Sequence, residues 1–511
     1  MLDAAEPFAR GLLRKGAWIY ALTALTAPLE YVIRIVTARS LDVADFGLMY
    51  GVMMVVTLVW SYNDLGFCDG LNYFLPKRVV AKDWAGATRL AVYAFVVQLS
   101  TSLLLGAVIW WAADPIGTWL FHTPAAAPVL RIYVLYLLAH GLFQVPVALF
   151  NALQDVKAAK GVECLRIAST LAFAVWVGWG GDGTVLGFTW AWIAGAAVAV
   201  AAGWGLAAWR LRAYFDRRGF SWVPGDFFPV LKYSAWSMLA VNVGTVLTQL
   251  DTLFVVYLLG VAANGAYSNY LSLMSVPTLV AGPALLFLFP VFSELFARGD
   301  GRRIRELKRV AYRHFSALGL YFGSFYLAFG PLLADVFFGP QFEDSGRLMA
   351  WSAPFLAFSF LMQLNFMLLA GTGRARVRTV ILLAGLVLNV LAIPALLSGV
   401  PFLGWPGFGL PGAALATGLA WALMFFLSVR SVRSYAAPFD WAPLAKNVAA
   451  AAALAWAGHA WLSASVPSGF SGMAVALAAG LAVHILAWSL LNLRAALADV
   501  RSARLAGPAT P

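Results

Sequence analysis

The sequence has little charge, almost no cysteine and few histidines. Only 11% of its 511 residues are Asp, Glu, Lys or Arg, against roughly 25% in an ordinary soluble domain. A soluble chain so poor in charge could not cover its own apolar surface. Two cysteines, Cys68 and Cys164, show no CxxC pairing and no histidine at metal-ligand spacing, which argues against a disulfide scaffold or a zinc site. No segment is polar enough to be an inserted soluble domain. What is present in excess is apolar: 62% of residues are hydrophobic and the mean hydropathy is +0.80. Lipid is the natural solvent for such a chain. The net charge of +12 would suggest nucleic acid in a soluble protein. Here it has another use, because basic residues hold the cytoplasmic loops of membrane proteins on their side, and no nucleic-acid partner is expected.

A hydrocarbon core about 30 Å thick needs roughly 20 apolar residues per helix. That ruler gives about fourteen spans, near 16–37, 46–66, 88–112, 129–153, 164–180, 186–209, 230–257, 266–292, 312–337, 347–370, 378–398, 408–429, 444–463 and 471–493. The expected class is therefore an all-α polytopic membrane protein. Alternate connections carry 31 of the 35 Lys and Arg, from Arg10, Arg14 and Lys15 through Lys157, Lys160 and Arg166 to Arg494, Arg501 and Arg504. The opposite set holds only Arg39, Arg131 and Arg347, with Arg34 inside a span. One missed helix would scramble this alternation, so both termini are expected in the cytoplasm of a bacterial inner membrane. Arg10, Arg14 and Lys15 before an apolar run imitate a signal peptide, but Glu30 and Arg34 interrupt that run, and an uncleaved first helix is expected. Trp110, Trp111, Trp119, Trp176, Trp179, Trp405 and Trp441 sit at the ends of apolar runs as interfacial anchors do.

The chain also matches itself 218 residues on. Ala17-Trp18 aligns with Ala235-Trp236, and Leu41, Val43, Ala44 and Gly47 align with Leu259, Val261, Ala262 and Gly265. Each copy reads as a span, a tight outward turn and a new span. Same-orientation repeats of six spans are a transporter architecture. The expected organisation is two pseudo-symmetric six-helix lobes, 1–218 and 219–435, two further transmembrane helices in 436–494, and a cytoplasmic tail, 495–511.

These residues resemble the Wzx-type polysaccharide flippases of the multidrug/oligosaccharidyl-lipid/polysaccharide exporter superfamily. The family's first turn is a small-residue run followed by Leu-Gly-x-x-x-[FY]-Gly; here Leu41-Asp42-Val43-Ala44-Asp45-Phe46-Gly47 stands in its place. Asp64-Leu65-Gly66, Leu71 to Pro76, Gln249-Leu250-Asp251, Leu259-Gly260, Gly265-Ala266-Tyr267 and Phe289-Pro290 follow in the family's order. The match covers about residues 10–430. It implies a transporter, not an enzyme, that flips a polyprenyl-diphosphate-linked oligosaccharide to the outer leaflet by alternating access. No cofactor is implied; a proton or sodium gradient is the candidate energy source. The implied partners are the lipid-linked glycan, membrane lipids, and a glycan polymerase and glycosyltransferases of exopolysaccharide or O-antigen synthesis. The family usually has Gly where this chain has Asp42, so Asp42 and Asp45 form an acidic pair in the first outward loop. A membrane glycosyltransferase or polymerase using that pair is one alternative, and a cation-coupled multidrug exporter is the other.

An ionisable group inside a span costs about 3 kcal/mol on insertion scales, so such residues are the candidate site. Glu30 and Arg34 lie four apart on one helical face. Either they neutralise each other as an internal ion pair, or Arg34 meets the cargo diphosphate through its planar fork while Glu30 tunes it. Asn63, Asp64, Asp69 and Asn72 either line a polar vestibule for sugars or are solvated residues at a helix end. Asp251, with Gln249 and Asn242 nearby, is either a structural hydrogen bonder or the site that couples transport to the ion gradient. His140 reads as a packed core histidine.

Overall fold

The computed structural model describes residues 22, 25–180, 183–212, 214, 222–399, 404–435, 441–464 and 469–505. Arg10, Arg14, Lys15, Ala17, Trp18, Arg217 and Arg218 lie outside the described residues, as do the start of the first expected span and the end of the tail. Among the described residues the chain is helical throughout, without strands. A helix over residues 25–40, α1, is followed by α2 (Val43–Trp60), α3 (Phe67–Val80), α4 (Trp84–Trp119), α5 (Ala126–Ala152), α6 (Val156–Trp179), α7 (Val185–Arg210), α8 (Pro224–Ala297), α9 (Gly301–Phe338), α10 (Glu343–Ser352), α11 (Leu356–Gly371), α12 (Ala375–Ser398), α13 (Leu410–Ser431), α14 (Trp441–Ala464) and α15 (Gly469–Leu505).

The helices start where short polar side chains satisfy the orphan N–H groups of a first turn. Asp42 accepts from the Asp45 N–H at 2.7 Å to open α2. Asp83, Asp155, Thr184 and Asp300 do the same for α4, α6, α7 and α9. Eleven described helices are long and apolar enough to cross a membrane. The protein is an all-α, multi-pass membrane protein; the figure of about fourteen spans remains a sequence expectation. The seven tryptophans expected to anchor at interfaces are all exposed.

Three elements differ from the sequence reading. The second span, expected as 46–66, is broken: α2 ends at Trp60, a 3-10 turn covers Asn63–Gly66, and α3 continues from Phe67. The fifth, expected as a short span over 164–180, is α6, which begins eight residues earlier behind the Asp155 cap. Arg166, counted with the loop charges, is therefore inside a helix, and its side chain is buried. Finally, α8 runs for 74 residues and is interrupted at Gly260, whose φ of 85° suits a residue without a Cβ. Gly260 stands 218 residues after Asp42, so the interruption falls where the repeat expects the second outward turn.

The chain forms two compact units, Met1–Asn264 and Gly265–Pro511. The first crossing of α8 thus belongs by contact to the first unit, whereas the division at 218/219 is a statement about repeat topology and is our proposal. Within the first unit the amide of Asn264 donates to the Gly47 carbonyl at 2.7 Å. Within the second, α10, α11, α14 and α15 surround α9. Asn365 ties three of its helices, accepting from Tyr312 Oη at 2.7 Å and donating to Ser428 Oγ at 2.8 Å. Asn447 and Asn492 exchange amide hydrogen bonds of 3.2 and 3.0 Å between α14 and α15. Such polar ties are useful between helices that have no hydrophobic drive to associate in lipid.

Candidate functional site

The break between α2 and α3 carries a strained backbone. Asp64, Leu65 and Gly66 have φ values of 60°, 51° and 75° in succession, a left-handed run that costs about 1–2 kcal/mol for each residue other than glycine. Neighbouring groups hold it in place. The Asp64 carboxylate accepts from the Gly66 and Cys68 N–H groups at 2.8 and 2.9 Å. Asn63 is buried and accepts from Thr101 Oγ1 at 2.8 Å while donating to Ser102 Oγ at 2.8 Å. The Asn242 amide, buried on α8, donates to the Ser61 carbonyl at 2.8 Å, capping the end of α2. Irregular backbone at membrane depth is tolerated where protein groups satisfy it in this way.

The four residues expected to line a vestibule therefore divide. Asn63 and Asp64 turn inward and build the break. Asp69 and Asn72 are exposed on α3, on the same face as Tyr73, which stacks on Tyr233 of α8 at 4.8 Å and lies under the Lys77 ammonium at 3.4 Å. The three residues expected near an ion site divide as well. Asn242 and Gln249 are seven apart and share a helix face, while Asp251 is about 180° round from Asn242 at 100° per residue. Asp251 is buried and accepts from the Thr252 N–H at 2.9 Å.

Below the break, α8 is clasped to α3 and α4. Asp226 accepts from Arg78 Nη2 at 2.5 Å and from Arg89 Nε at 2.8 Å, its side chain only 13% exposed. Arg78 also donates to Asp83 at 2.7 Å. The Gly86 N–H, followed by Arg78, holds the Asp83 carboxyl below the usual carboxylate range. The Tyr93 hydroxyl accepts from the Val223 N–H at 2.8 Å. The Asp226→Asn variant should weaken this clasp by about 2–3 kcal/mol, since it removes the charge facing two guanidinium groups. The check is thiol labelling of Val230→Cys, a buried position one turn along α8, with Cys68→Ser and Cys164→Ser in the background. Faster labelling is expected when Asp226→Asn is added. An unchanged rate would mean that the clasp does not hold this helix end.

The intramembrane charges gather in the first unit. The Arg34 guanidinium lies over the Tyr50 ring at 4.0 Å. The carboxylate of Glu30 is 3.7 Å from Nη2 of Arg166, so the ion-pair partner it meets is on α6, not only on its own helix. Arg166 is 8% exposed and packs over Phe143 at 5.7 Å. His140 is buried beside it in an aromatic setting: Tyr136 Oη is 3.3 Å from Nδ1, Gln144 Nε2 is 3.1 Å from Nε2, and the Trp60 ring meets the imidazole edge-on at 4.8 Å. Sequence reading missed Arg166 because its neighbours Lys157 and Lys160 read as a loop. The Asp155 cap, which opens a helix at Val156, was the available signal. Asp42, the N-cap of α2, and Asp45, in its first turn, have helix-starting work that needs no catalysis.

Residues 36–347 match the family described as polysaccharide biosynthesis protein, and the chain belongs to that family. It is similar to the amylovoran biosynthesis protein AmsL of Erwinia amylovora, 26% identical over 264 residues that make up 50% of this chain and 63% of the relative. An uncharacterised membrane protein of Methanocaldococcus jannaschii is 19% identical over 79% of this chain and 80% of its own length. Among solved structures, the lipid II flippase MurJ in an inward closed conformation superposes with a TM-score of 0.70 at 11% identity, over 94% of this chain and 99% of that one. An inward-facing multidrug-resistance transporter of the MATE family, itself of the MOP superfamily, gives 0.62 at 16% identity, over 80% and 95%. At these identities what the chain shares with the solved transporters is the fold.

Proposed function

We propose that the protein flips a polyprenyl-diphosphate-linked oligosaccharide from the cytoplasmic to the outer leaflet of a bacterial inner membrane by alternating access, both termini being cytoplasmic. The supporting observation is the placement of two guanidinium groups inside the first unit: Arg34 over the Tyr50 ring at 4.0 Å, and Arg166 with its Nη2 3.7 Å from the Glu30 carboxylate. Such a cluster attracts a diphosphate, which cannot cross hydrocarbon unaided. It repels the cationic cargo of a drug exporter. Asp251 is the proposed coupling residue for a proton or sodium gradient, and the polymerase and glycosyltransferases are the proposed partners of the finished glycan.

The test is reconstitution of the full chain in vesicles holding a fluorescent polyprenyl-diphosphate sugar, with an external quencher. Protein-dependent exposure of the label, faster than in protein-free vesicles, is expected. A neutral glycolipid lacking the diphosphate should not be moved. Equal movement of both lipids, or of neither, would overturn the reading.

A further inference from the structure

Three buried donors in the first unit lack an acceptor among the described residues: Nε of Arg166 on α6, Oη of Tyr133 on α5 and Nε1 of Trp192 on α7. They connect through neighbouring rings: Arg166 lies over Phe143 at 5.7 Å, Phe143 meets His140 at 5.5 Å, and His140 meets Tyr136 at 5.3 Å. The Tyr133 and Tyr136 rings are 5.1 Å apart, and the Tyr136 and Trp192 rings 6.0 Å. Leaving a buried donor unpaired costs about 1–3 kcal/mol, so three together mark a place made to receive acceptors. The cluster is not sealed. Glu30 is 52% exposed on α1 and reaches Arg166 only at 3.7 Å, beyond the 2.7–2.9 Å or so of a charge-assisted hydrogen bond. Arg34 and Tyr50 lie about 12 Å along their helices from the turn at Asp42, at 1.5 Å per residue.

We propose that Arg166 is the second arm of a phosphate clamp whose first arm is Arg34, and that Glu30 is its resident counter-ion, displaced when the cargo's phosphate arrives. A phosphate brings several acceptor oxygens, and Arg166, Tyr133 and Trp192 offer the donors that match them. The Glu30 carboxylate, tethered to α1, stands 3.7 Å from Arg166. Exchange of one anion for another keeps Arg166 neutralised at every stage, which avoids an unpaired guanidinium in a buried site. It also makes cargo binding compete with the Glu30–Arg166 contact, so loading the clamp releases α1 from α6. The inference rests on the diphosphate reading above.

The experiment is binding of undecaprenyl diphosphate to the full chain, followed by native mass spectrometry in detergent, with the thermal unfolding midpoint of each variant. Arg166→Gln should weaken binding at least tenfold. Glu30→Gln should tighten it severalfold, because the competing anion is gone. The double variant Glu30→Gln, Arg166→Gln should bind as weakly as Arg166→Gln alone. Arg166→Lys keeps the charge and decides the matter if the glutamine variant misfolds; it should bind more weakly than wild type, having lost the fork. Wild-type affinity in Arg166→Lys and Arg166→Gln, or recovery of it in the double variant, would show Arg166 to be only a structural partner of Glu30, leaving the flippase reading untouched. A wild-type protein that does not bind the diphosphate overturns both.

Discussion

Replacing Arg34 by alanine should slow the flipping of a labelled polyprenyl-diphosphate sugar at least tenfold in reconstituted vesicles. A hydrogen bond to a charged group contributes about 1.5–3 kcal/mol, which corresponds to about 10–150-fold in an equilibrium constant. Arg34 is half-buried and its guanidinium rests on Tyr50 at 4.0 Å, so the ring fixes its plane before any cargo arrives. Pre-orientation of this kind lowers the entropy lost on binding. Arg34→Lys keeps the charge without the planar fork and should fall between wild type and alanine. Tyr50 then loses its stacked cation, worth about 0.5–2 kcal/mol, so the unfolding midpoint must be measured alongside the rate. A stable Arg34→Ala protein that flips at the wild-type rate would remove Arg34 from the phosphate path.

Gly66→Ala should be the most damaging single methyl group in the first unit. At φ 75° the added Cβ collides with the Ser234 carbonyl oxygen and stands 3.1 Å from Met238 Cβ. The backbone conformation costs about 1–2 kcal/mol for a residue with a Cβ. The collision adds to this, because α8 has to move away from α3 or the break has to unwind. A total loss of about 3 kcal/mol or more is expected, read as a fall of roughly 5 °C or more in the unfolding midpoint in detergent. Gly161→Ala is the control: a Cβ there meets nothing within 4 Å, and a helical Gly→Ala change should be neutral or slightly stabilising. Equal midpoints for the two variants would mean that α8 does not depend on close approach at Gly66.

Much of the fold was legible in the sequence because the properties that define it are local. Whether a segment enters lipid depends on some twenty neighbouring side chains. The self-match was legible for the same reason, and Gly260 interrupts α8 where the repeat asks for a turn. Asp155 and Asp300 announce their helices by capping them from one residue away.

The site was less legible, because it depends on which way each helix is turned. Glu30 and Arg34 were recognisable as costly charges, but the partner of Glu30 on α6 is 136 positions away in the chain. Asn63 and Asp64 had the right composition for a vestibule, and only packing shows that Thr101, Ser102 and two backbone amides already occupy them. Asn242 lay near Asp251 in sequence and was grouped with it, yet its amide is committed to the carbonyl of Ser61. Hydropathy measures how much a segment prefers lipid, which is a sum over its residues and carries no direction. The sequence by itself therefore determined the solvent, the class and the order of the helices. Only the tertiary structure decided which buried charges and donors meet, because helix rotation and contact are set by neighbours distant in the chain.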